Sequence, residues 1–556
     1  MKRNGGELLI QSLVALGASK SFGIPGESYL AALDALHDTK GVLDFVLCRN
    51  EGGASFMASA YGKLTGTPGI CFVTRGPGAT NASIGVHTAK QDSSPMLLFV
   101  GQVAADVKGR EAFQELDYKA VFGSMAKWAV EIDHIERIPE IVSRAWCVAT
   151  TGRPGPVVIA LPEDMLTSTT DVEPLKCPVT FDEPEPSQAS LDCVAELLSH
   201  SRQPVILYGG GSWNESGSSA LKAFAEQSNI PVVAAFRYQD RFDNYSNVFC
   251  GELGVGTPAW LNEMIQAADV VLAINVRFGE VTTNGYQLFD LHGSAQKLIH
   301  VHISELELGK IYRPDLAIHA GPNAFARSLK PVKGAWDGWR AEARSNYVAG
   351  FSAPEQPSPV DMVKVSAYLR DRLPQDVVLT NGAGNFTIWP GKFFQYGEKA
   401  RLLAPQSGAM GYGLPAAIAA KIAFPQRTVI CFAGDGDFQM NLQELATAKQ
   451  YGAQPIILVL NNGIYGTIRA HQECNYPGRV SGTTMTENPD FVALGQAYGF
   501  YAEYVENTDA FQAAFERAME SETGAVLELN ISPEAITPRQ SLSQMREAAL
   551  AKKDLI

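Results

Sequence analysis

Short β-rich runs alternate with amphipathic helical patterns along the chain, and this alternation constrains the fold more than composition does. The first set of runs covers residues 42–48, 69–74, 95–100 and 157–161. A second set begins at residue 204 and a third at residue 377. Strands that alternate with helices form βαβ units, in which consecutive strands lie parallel. The sequence therefore predicts an α/β protein with three doubly wound parallel-sheet domains.

The chain length requires more than one domain. Single hydrophobic cores stop growing at about 250–300 residues, and this chain has 556. Two stretches that contain proline and lack apolar periodicity, 171–187 and 330–358, are typical of linkers. We therefore predict an N-terminal domain over 1–172, a central domain over 186–332, a C-terminal domain over 356–535 and a tail over 536–556.

The charge balance bears on partners and location. The chain has 45 Lys and Arg against 59 Asp and Glu, a formal charge of -14, and no basic stripe. This argues against nucleic acid as a partner. The eight cysteines form no C-x-x-C pair. The sequence contains no apolar run of about 18 residues and no secretory h-region near its first residue. We expect a cytoplasmic protein with neither a nucleic-acid nor a membrane partner.

Two turns in the last third carry the most chemical information. Gly434-Asp435-Gly436-Asp437 directly follows the predicted strand 428–433, and Asn461-Asn462 follows the next one, 455–460. Adjacent parallel strands place their C-terminal ends side by side, where open α/β sheets bind ligands. Asp435 and Asn462 can then share one hard cation through oxygen ligands. Backbone N–H groups near Gly436 and Asp437 suit a phosphate at a helix start.

Either turn alone is weak evidence, because Gly-Asp-Gly and Asn-Asn-Gly are common turns in proteins. Both turns at this spacing, each preceded by a predicted strand, favour a functional site. Mg²⁺ usually keeps several non-protein ligands, so a diphosphate bridged by Mg²⁺ fits the pattern.

This spacing resembles the thiamine diphosphate-binding motif, and nearly the whole chain is similar to the acetolactate synthase-like branch (large catalytic subunit) of that superfamily. The strongest anchors are residues 49–54, 76–81, 152–156, 408–415, 434–437 and 441–445. The resemblance implies a pyrimidine-binding, a central and a diphosphate-binding domain, in that order. It implies thiamine diphosphate and Mg²⁺ as cofactors. It also implies cofactor contacts at Gly434, Gly436 and Asp437. The implied metal ligands are Asp435, Asn462 and the main-chain oxygen of Ile464.

Glu51 follows the predicted strand 42–48 and precedes the helical pattern 54–63. A carboxylate is favoured at a helix start by the dipole alone. By resemblance, Glu51 is the catalytic residue that bonds to the pyrimidine ring of the cofactor. Sharing a proton there favours the imino tautomer, which takes the proton from the thiazolium carbon, and the cofactor then acts as an electron sink.

Met410 lies in a glycine-rich stretch. A flexible gap-filler is one interpretation of this side chain. The resemblance instead places Met410 beneath the cofactor, where it holds the two rings in a bent form, and Gly408 allows close backbone approach. Gly384, Asn385 and Phe386 are similar to a family segment near the diphosphate, although the family often has Gln-His after the glycine.

Five residues are candidates for the substrate pocket: Ser28, His87, Phe113, Gln114 and His471. Residues 111–115 resemble a substrate-channel segment of acetolactate synthases. A structural or surface role is the alternative for the two histidines, and a helix N-cap is the alternative for Ser28. Acetolactate synthases typically have Trp at the position of His471, so the pocket rim departs from the family pattern here.

The predicted central domain has a glycine loop, Gly209-Gly210-Gly211, after the strand 204–208. Such a loop suits a dinucleotide, but it is not G-x-G-x-x-G. Acetolactate synthases carry a flavin here, and Arg277-Phe278 is similar to their pattern. Related lyases bind an ADP moiety and decarboxylases often bind nothing. FAD at Gly210, Gly211 and Arg277 is therefore one of three alternatives.

The leading function is decarboxylation of a 2-oxo acid such as pyruvate, followed by joining to a second carbonyl compound. Alternatives are a 2-hydroxyacyl-CoA lyase acting on an acyl-CoA, a simple 2-oxo acid decarboxylase and a non-catalytic cofactor-binding protein. Glu51 speaks against the last, because binding alone would not need it. In the family, the pyrimidine domain of one subunit faces the diphosphate domain of another, which implies a homodimer or homotetramer.

Overall fold

A computed structural model describes residues 2–289 and 296–553. Within these residues three separate sheets contain six strands each, and every neighbouring pair inside them runs parallel. The predicted α/β class with three parallel-sheet domains is confirmed. In the same residues no helix is both long enough and apolar enough to cross a membrane.

The N-terminal part contains β1 (Arg3–Asn4), β2 (Lys20–Gly23), β3 (Asp44–Leu47), β4 (Gly69–Val73), β5 (Met96–Gln102), β6 (Trp128–Glu131), β7 (Pro156–Pro162) and β8 (Thr169–Thr170). Its helices are α1 (Gly5–Ala15), α2 (Leu30–Asp38), α3 (Glu51–Thr65), α4 (Gly76–Asp92), α5 (Tyr118–Phe122), α6 (Ile138–Thr150) and α7 (Glu163–Thr167). The large sheet has the order β3-β2-β4-β5-β7-β6, and β1 pairs antiparallel with β8.

The central part contains β9 (Pro204–Tyr208), β10 (Val232–Ala234), β11 (Phe249–Glu252), β12 (Val270–Ile274), β13 (Lys297–His302) and β14 (Leu316–His319). Its helices are α8 (Gln188–Ser199), α9 (Glu215–Ser228), α10 (Ala259–Ala267), α11 (Pro322–Ser328) and α12 (Asp337–Ala349). The strand order is β11-β10-β9-β12-β13-β14, so β11 lies at one edge.

The C-terminal part contains β15 (Val378–Asn381), β16 (Arg401–Leu403), β17 (Val429–Gly434), β18 (Ile456–Asn461), β19 (Tyr501–Val505) and β20 (Ala525–Asn530). Its helices are α13 (Met362–Arg372), α14 (Ile388–Lys392), α15 (Gly413–Ala423), α16 (Asp435–Phe438), α17 (Leu445–Gln450), α18 (Gly466–Asn475), α19 (Phe491–Ala497), α20 (Thr508–Glu520) and α21 (Leu542–Lys553). The order β16-β15-β17-β18-β20-β19 places β17 and β18 side by side at the centre.

Most residues of the inner strands are buried, because helices cover both faces of each sheet. All seven residues of β5 and all seven of β7 are buried. One hydrophobic cluster continues from the N-terminal sheet into the C-terminal sheet through α3 and α15. There Phe56 meets Tyr412 edge to face, with ring centroids 5.4 Å apart. This packing fixes the start of α3 against the C-terminal part of the same chain.

The sequence between β17 and β18 has a helical pattern over 440–451, but the helix in the structure is shorter. A 3₁₀ turn at Leu442–Glu444 precedes α17, and α16 ends at Phe438. The interruption has a tertiary cause, since the Asn441 side chain donates to the carbonyl of Gly411 and Glu444 binds the N-terminal part. Helical periodicity in the sequence cannot register these long-range contacts.

Candidate active site

The ends of β17 and β18 meet at one cavity of about 220 Å³. The two strands are parallel neighbours, with Gly434 opposite Leu460, so the turns that follow them emerge together. Eleven residues predicted as cofactor contacts or metal ligands line this cavity. They are Gly384, Asn385, Phe386, Gly408, Met410, Gly434, Asp435, Gly436, Asp437, Asn462 and Ile464.

Asp435 is the first residue of α16 and is 2 % exposed. Its carboxylate accepts hydrogen bonds from the backbone N–H groups of Gly436 (3.0 Å) and Gly463 (2.8 Å). Burial raises the pKa of this carboxyl, and these hydrogen bonds oppose the shift. The bond to Gly463 ties the turn after β17 to the turn that carries Asn462.

Asn488 completes this arrangement, and no motif in the sequence pointed to it. Its side-chain N–H group donates to Asp435 Oδ2 (2.7 Å) and to Asn461 Oδ1 (3.0 Å). Asn462 Oδ1 accepts from the N–H of Ile464 at 3.2 Å. Asn488 lies in a loop before α19, at a sequence distance that no local spacing rule covers.

The donor set at the strand ends is suited to a hard cation. The described residues contain no group of three His, Cys, Asp or Glu side chains that could hold a metal. A cation here would therefore be held by one carboxylate with amide and main-chain oxygens, from Asp435, Asn462 and Ile464. Such an oxygen set suits Mg²⁺, which keeps some of its ligands from water or phosphate.

Asp437 holds two loops in place beside the same strand end. Its Oδ1 accepts from the N–H groups of Ala383 (3.0 Å) and Gly411 (2.9 Å). Burial raises the pKa of Asp437 to about 7. The first loop leads into Gly384, and the second carries Met410. The carboxyl group therefore positions two walls of the cavity.

Glycines at the strand end leave room for a group to approach the backbone. A Cβ atom on Gly434 would lie 2.9 Å from the Phe386 ring, and one on Gly436 would lie 2.7 Å from the Tyr465 ring. Larger residues at either position would therefore displace an aromatic wall. The remaining walls of the cavity are mostly apolar and include Met410 and Ile468.

Glu51 lies outside this cavity. It is the first residue of α3 and is half-buried, and its Oε2 accepts from the Asn81 side chain at 2.9 Å. The Asn50 side chain caps the helix by accepting from Gly52 N–H at 2.8 Å. Within residues 2–289 and 296–553, the cavity is lined only from residue 356 onward.

Glu444 holds the start of α3 from the C-terminal part of the same chain. Its carboxylate accepts from the N–H groups of Arg49 (3.1 Å) and Asn50 (2.9 Å), and Thr447 Oγ1 donates to it at 2.6 Å. The side chain is fully buried, and burial raises its pKa. The sequence identified residues 441–445 as a family anchor but did not assign this role.

Comparison with known proteins identifies the family of this chain. Three family models match, all described as Thiamine pyrophosphate enzyme: the N-terminal TPP binding domain at 3–121, the central domain at 191–329 and the C-terminal TPP binding domain at 382–529. The acetolactate synthase isozyme 2 large subunit of Escherichia coli K12 is 31% identical over 98% of this chain and 99% of its own. The probable acetolactate synthase large subunit of Methanocaldococcus jannaschii is 32% identical over 96% of this chain and 93% of its own.

The chain belongs to the thiamine pyrophosphate enzyme family. Its similarity to acetolactate synthase large subunits places it in that branch of the family.

In this thiamine pyrophosphate enzyme, none of the five predicted substrate residues is among the residues that line the cavity. Ser28 is buried and its hydroxyl pairs with Thr74 Oγ1 at 3.1 Å rather than capping a helix. His87 on α4, His471 on α18 and Phe113 are exposed. The main-chain oxygen of Gln114 accepts from Gly76 N–H at 2.9 Å. Their substrate roles remain predictions.

In the central domain of the thiamine pyrophosphate enzyme, the glycine loop meets the residues after β12. Gly210 has φ +73°, and a Cβ there would lie 2.4 Å from the main-chain oxygen of Asn275. The Asn275 side chain donates to the carbonyl of Gly211 at 2.8 Å, and its own buried Oδ1 has no donor among the described residues. Arg277 donates to the main-chain and side-chain oxygens of Gln91 on α4.

Proposed function

We propose that this chain is a thiamine diphosphate- and Mg²⁺-dependent enzyme that decarboxylates a 2-oxo acid such as pyruvate and joins the remaining acyl unit to a second carbonyl compound. The observation that carries the proposal is the cavity at the ends of β17 and β18, which gathers Asp435, Asn462 and Met410. The near-complete alignment with acetolactate synthase large subunits supports the reaction class.

The residues present fit both cofactors. Asp435, Asn462 and the main-chain oxygen of Ile464 would hold Mg²⁺, and the backbone at Gly434 and Gly436 would lie against the diphosphate. Bound thiamine diphosphate supplies a nucleophilic carbon and an electron sink. The apolar side chain of Met410 would contact the cofactor rings, and Phe386 and Ile464 would help to exclude water from the cavity.

Glu51 is the proposed catalytic carboxyl group, and it would share a proton with the pyrimidine ring of the bound cofactor. Because Glu51 lies outside the cavity of its own chain, the proposal includes a homodimer or homotetramer. In this assembly Glu51 of one chain faces Asp435 of another. The contact of Glu444 with Arg49 and Asn50 then fixes α3 in the orientation from which it serves a neighbouring chain.

We also propose FAD in the central domain, with Gly210, Gly211 and Arg277 as its contacts. The support is the buried Asn275 Oδ1 beside Gly211, an acceptor for which the described residues offer no donor. The visible absorbance spectrum of the purified protein tests this. A protein that shows no flavin bands as purified, and none after incubation with FAD and removal of the unbound FAD, would contradict the assignment.

Product analysis tests the function. Purified protein with thiamine diphosphate and Mg²⁺ is given pyruvate alone, and then pyruvate with 2-oxobutyrate, glyoxylate or formyl-CoA. Mass spectrometry should detect a branched 2-hydroxy-3-oxo acid whose formation requires Glu51 and is lost in Glu51→Gln. Acetaldehyde as the sole product would indicate a simple decarboxylase, and a 2-hydroxyacyl-CoA as the sole product would indicate a lyase.

Calorimetry tests the metal site independently. Asp435→Ala should abolish Mg²⁺-dependent binding of thiamine diphosphate, because the only carboxylate of the proposed ligand set is removed. Asn488→Ala should weaken binding less, since it leaves the Asp435 carboxylate in place and removes the hydrogen bonds that Asn488 donates to Asp435 and Asn461. Affinity equal to the unsubstituted protein in Asp435→Ala would place the cation elsewhere.

A further inference from the structure

A second cavity, of about 270 Å³, lies between the central and C-terminal parts of the chain. Its walls come from β11 and α10 at the edge of the central sheet, from α12, from the segment that includes α14, and from residues 537–539 of the tail. The volume is close to the lower end of the range of roughly 300–1,000 Å³ found for ligand sites. None of the residues assigned above to cofactor, metal or substrate lines it.

Aromatic rings form much of this interdomain cavity. Phe249, Trp260, Tyr347, Phe393 and Phe394 all contribute to its walls. Rings that line a cavity favour a flat aromatic guest, which can stack on some of them and meet others edge-on. The ligand should therefore contain a small planar ring system.

Gln239 provides a polar group without a partner. Gln239 lines the cavity and is 2 % exposed. Its Nε2 donates to the carbonyl of Gly391, another lining residue, at 3.4 Å. Its buried Oε1 accepts no hydrogen bond from the described residues. Such an orphaned acceptor is unfavourable in the folded protein. A ligand that carries an N–H group would satisfy it.

The two cations at the cavity differ in their pairing. Lys392 is neutralised by Glu252, whose carboxylate lies 2.9 Å from its Nζ. Arg539 is exposed and lines the cavity, so it lies at the mouth, and its guanidinium has no acidic partner in the described parts of the chain. A free guanidinium favours a carboxylate, which it can bind through two parallel hydrogen bonds.

We propose that the interdomain cavity is a second ligand site, and that it binds a small aromatic carboxylate with one ring N–H group. The ring occupies the aromatic walls, its N–H donates to Gln239 Oε1, and the carboxylate binds Arg539.

The position of the site connects it to the candidate active site. Gly384, Asn385 and Phe386 line the first cavity, and Ile388, Gly391 and Lys392 line the second, so one continuous segment borders both. Where the C-terminal domain meets the tail, Ala535 lines the first cavity and Pro538 lines the second. Occupation of the second site should reduce local opening of residues 388–394 and 537–539.

Indole-3-acetate is a suitable probe because it has a planar ring, one N–H group and a carboxylate. Calorimetric titration of the full chain compares it with naphthalene-1-acetate, which lacks the N–H, and with 3-methylindole, which lacks the carboxylate. Indole-3-acetate should bind at least about fivefold more tightly than naphthalene-1-acetate and roughly tenfold more tightly than 3-methylindole. These comparisons need no variant and so do not depend on refolding.

Variants assign the contacts. Arg539→Gln should weaken indole-3-acetate roughly tenfold, whereas Arg327→Gln should leave its affinity unchanged, because Arg327 is exposed on α11 and does not line the cavity. Gln239→Leu should remove the preference for indole-3-acetate over naphthalene-1-acetate. Hydrogen exchange should show slower exchange in 388–394 and 537–539 with the probe bound. Equal affinity for the three compounds, or binding unaffected by both cavity variants, would overturn the proposal.

Discussion

Glu444→Ala removes the buried carboxylate that connects the C-terminal part of the chain to the start of α3. In the folded protein this carboxylate accepts hydrogen bonds from the backbone N–H groups of Arg49 and Asn50. Alanine leaves both N–H groups without an acceptor, next to the residue proposed for catalysis. Glu444→Gln keeps the length of the side chain and one carbonyl oxygen for these donors.

The magnitude follows from the number of stranded donors. Two fully buried donors left unsatisfied would cost about 2–6 kcal/mol. Both hydrogen bonds here are partly buried, so we expect a loss near the lower end of that range. That is a large fraction of the roughly 5–15 kcal/mol by which folded proteins are stable. Glu444→Gln should cost about 1 kcal/mol, since a charge-assisted hydrogen bond becomes a neutral one and the Thr447 hydroxyl can rotate to accept from the new amide.

Urea unfolding followed by intrinsic fluorescence measures the difference, with Glu263→Ala as the matched control. Glu263 is an exposed residue of α10, so its loss should change the free energy of unfolding by less than about 0.5 kcal/mol. Hydrogen exchange of residues 49–53 should accelerate in Glu444→Ala and stay close to normal in Glu444→Gln. If the alanine variant matched the Glu263 control in both measurements, the carboxylate would not be what holds α3.

Two further predictions concern buried groups. Burial lowers the pKa of His302 to about 3. Between about pH 6.5 and 5 the unfolded chain therefore binds a proton that the folded chain excludes, so the free energy of unfolding falls as the pH falls. His302→Asn should remove about 1.4 kcal/mol per pH unit of that loss, measured by urea unfolding at several pH values. A variant whose free energy of unfolding differs at neutral pH but keeps the pH dependence of the unsubstituted protein would contradict this. Asp437→Ala leaves the N–H groups of Ala383 and Gly411 without an acceptor and should lower the free energy of unfolding by about 2–6 kcal/mol. Asp437→Asn keeps an acceptor and should lower it by less than about 1.5 kcal/mol in the same assay. Equal losses in the two variants would mean that Asp437 does not hold the two loops.

The positions of the strands along the chain could be predicted because the sequence signal for a buried strand is local. Continuous apolar runs identify β5, β7, β17 and β18 to within one or two residues, since parallel strands are buried on both faces. The proximity of the turns after β17 and β18 could also be predicted, for a related reason. Neighbouring parallel strands must end at the same edge of the sheet, which places Asp435 near Asn462.

Other parts of the site depend on contacts between distant segments. Asn488 binds Asp435 from a loop that has no characteristic spacing. The contact of Asp437 with the cofactor stays a prediction. The hydrogen bonds that its Oδ1 accepts from the N–H groups of Ala383 and Gly411 could not be foreseen from the sequence. Glu444 lies in the 3₁₀ turn that shortens the helix, and its side chain binds the N–H groups of Arg49 and Asn50 in the N-terminal part. Such contacts follow from tertiary packing, which the sequence pattern does not encode locally.

Complementation between two inactive variants tests the central claim, a catalytic site shared between chains. Glu51→Gln and Asp435→Ala subunits are unfolded together, refolded in equal amounts and assayed with pyruvate, thiamine diphosphate and Mg²⁺. Each mixed dimer has one site with both substitutions and one with neither. Random pairing should therefore restore roughly a quarter of the activity of the unsubstituted protein, while each variant alone stays inactive. Mixed dimers that are verified by mass and remain inactive would contradict a site built from Glu51 of one chain and Asp435 of another.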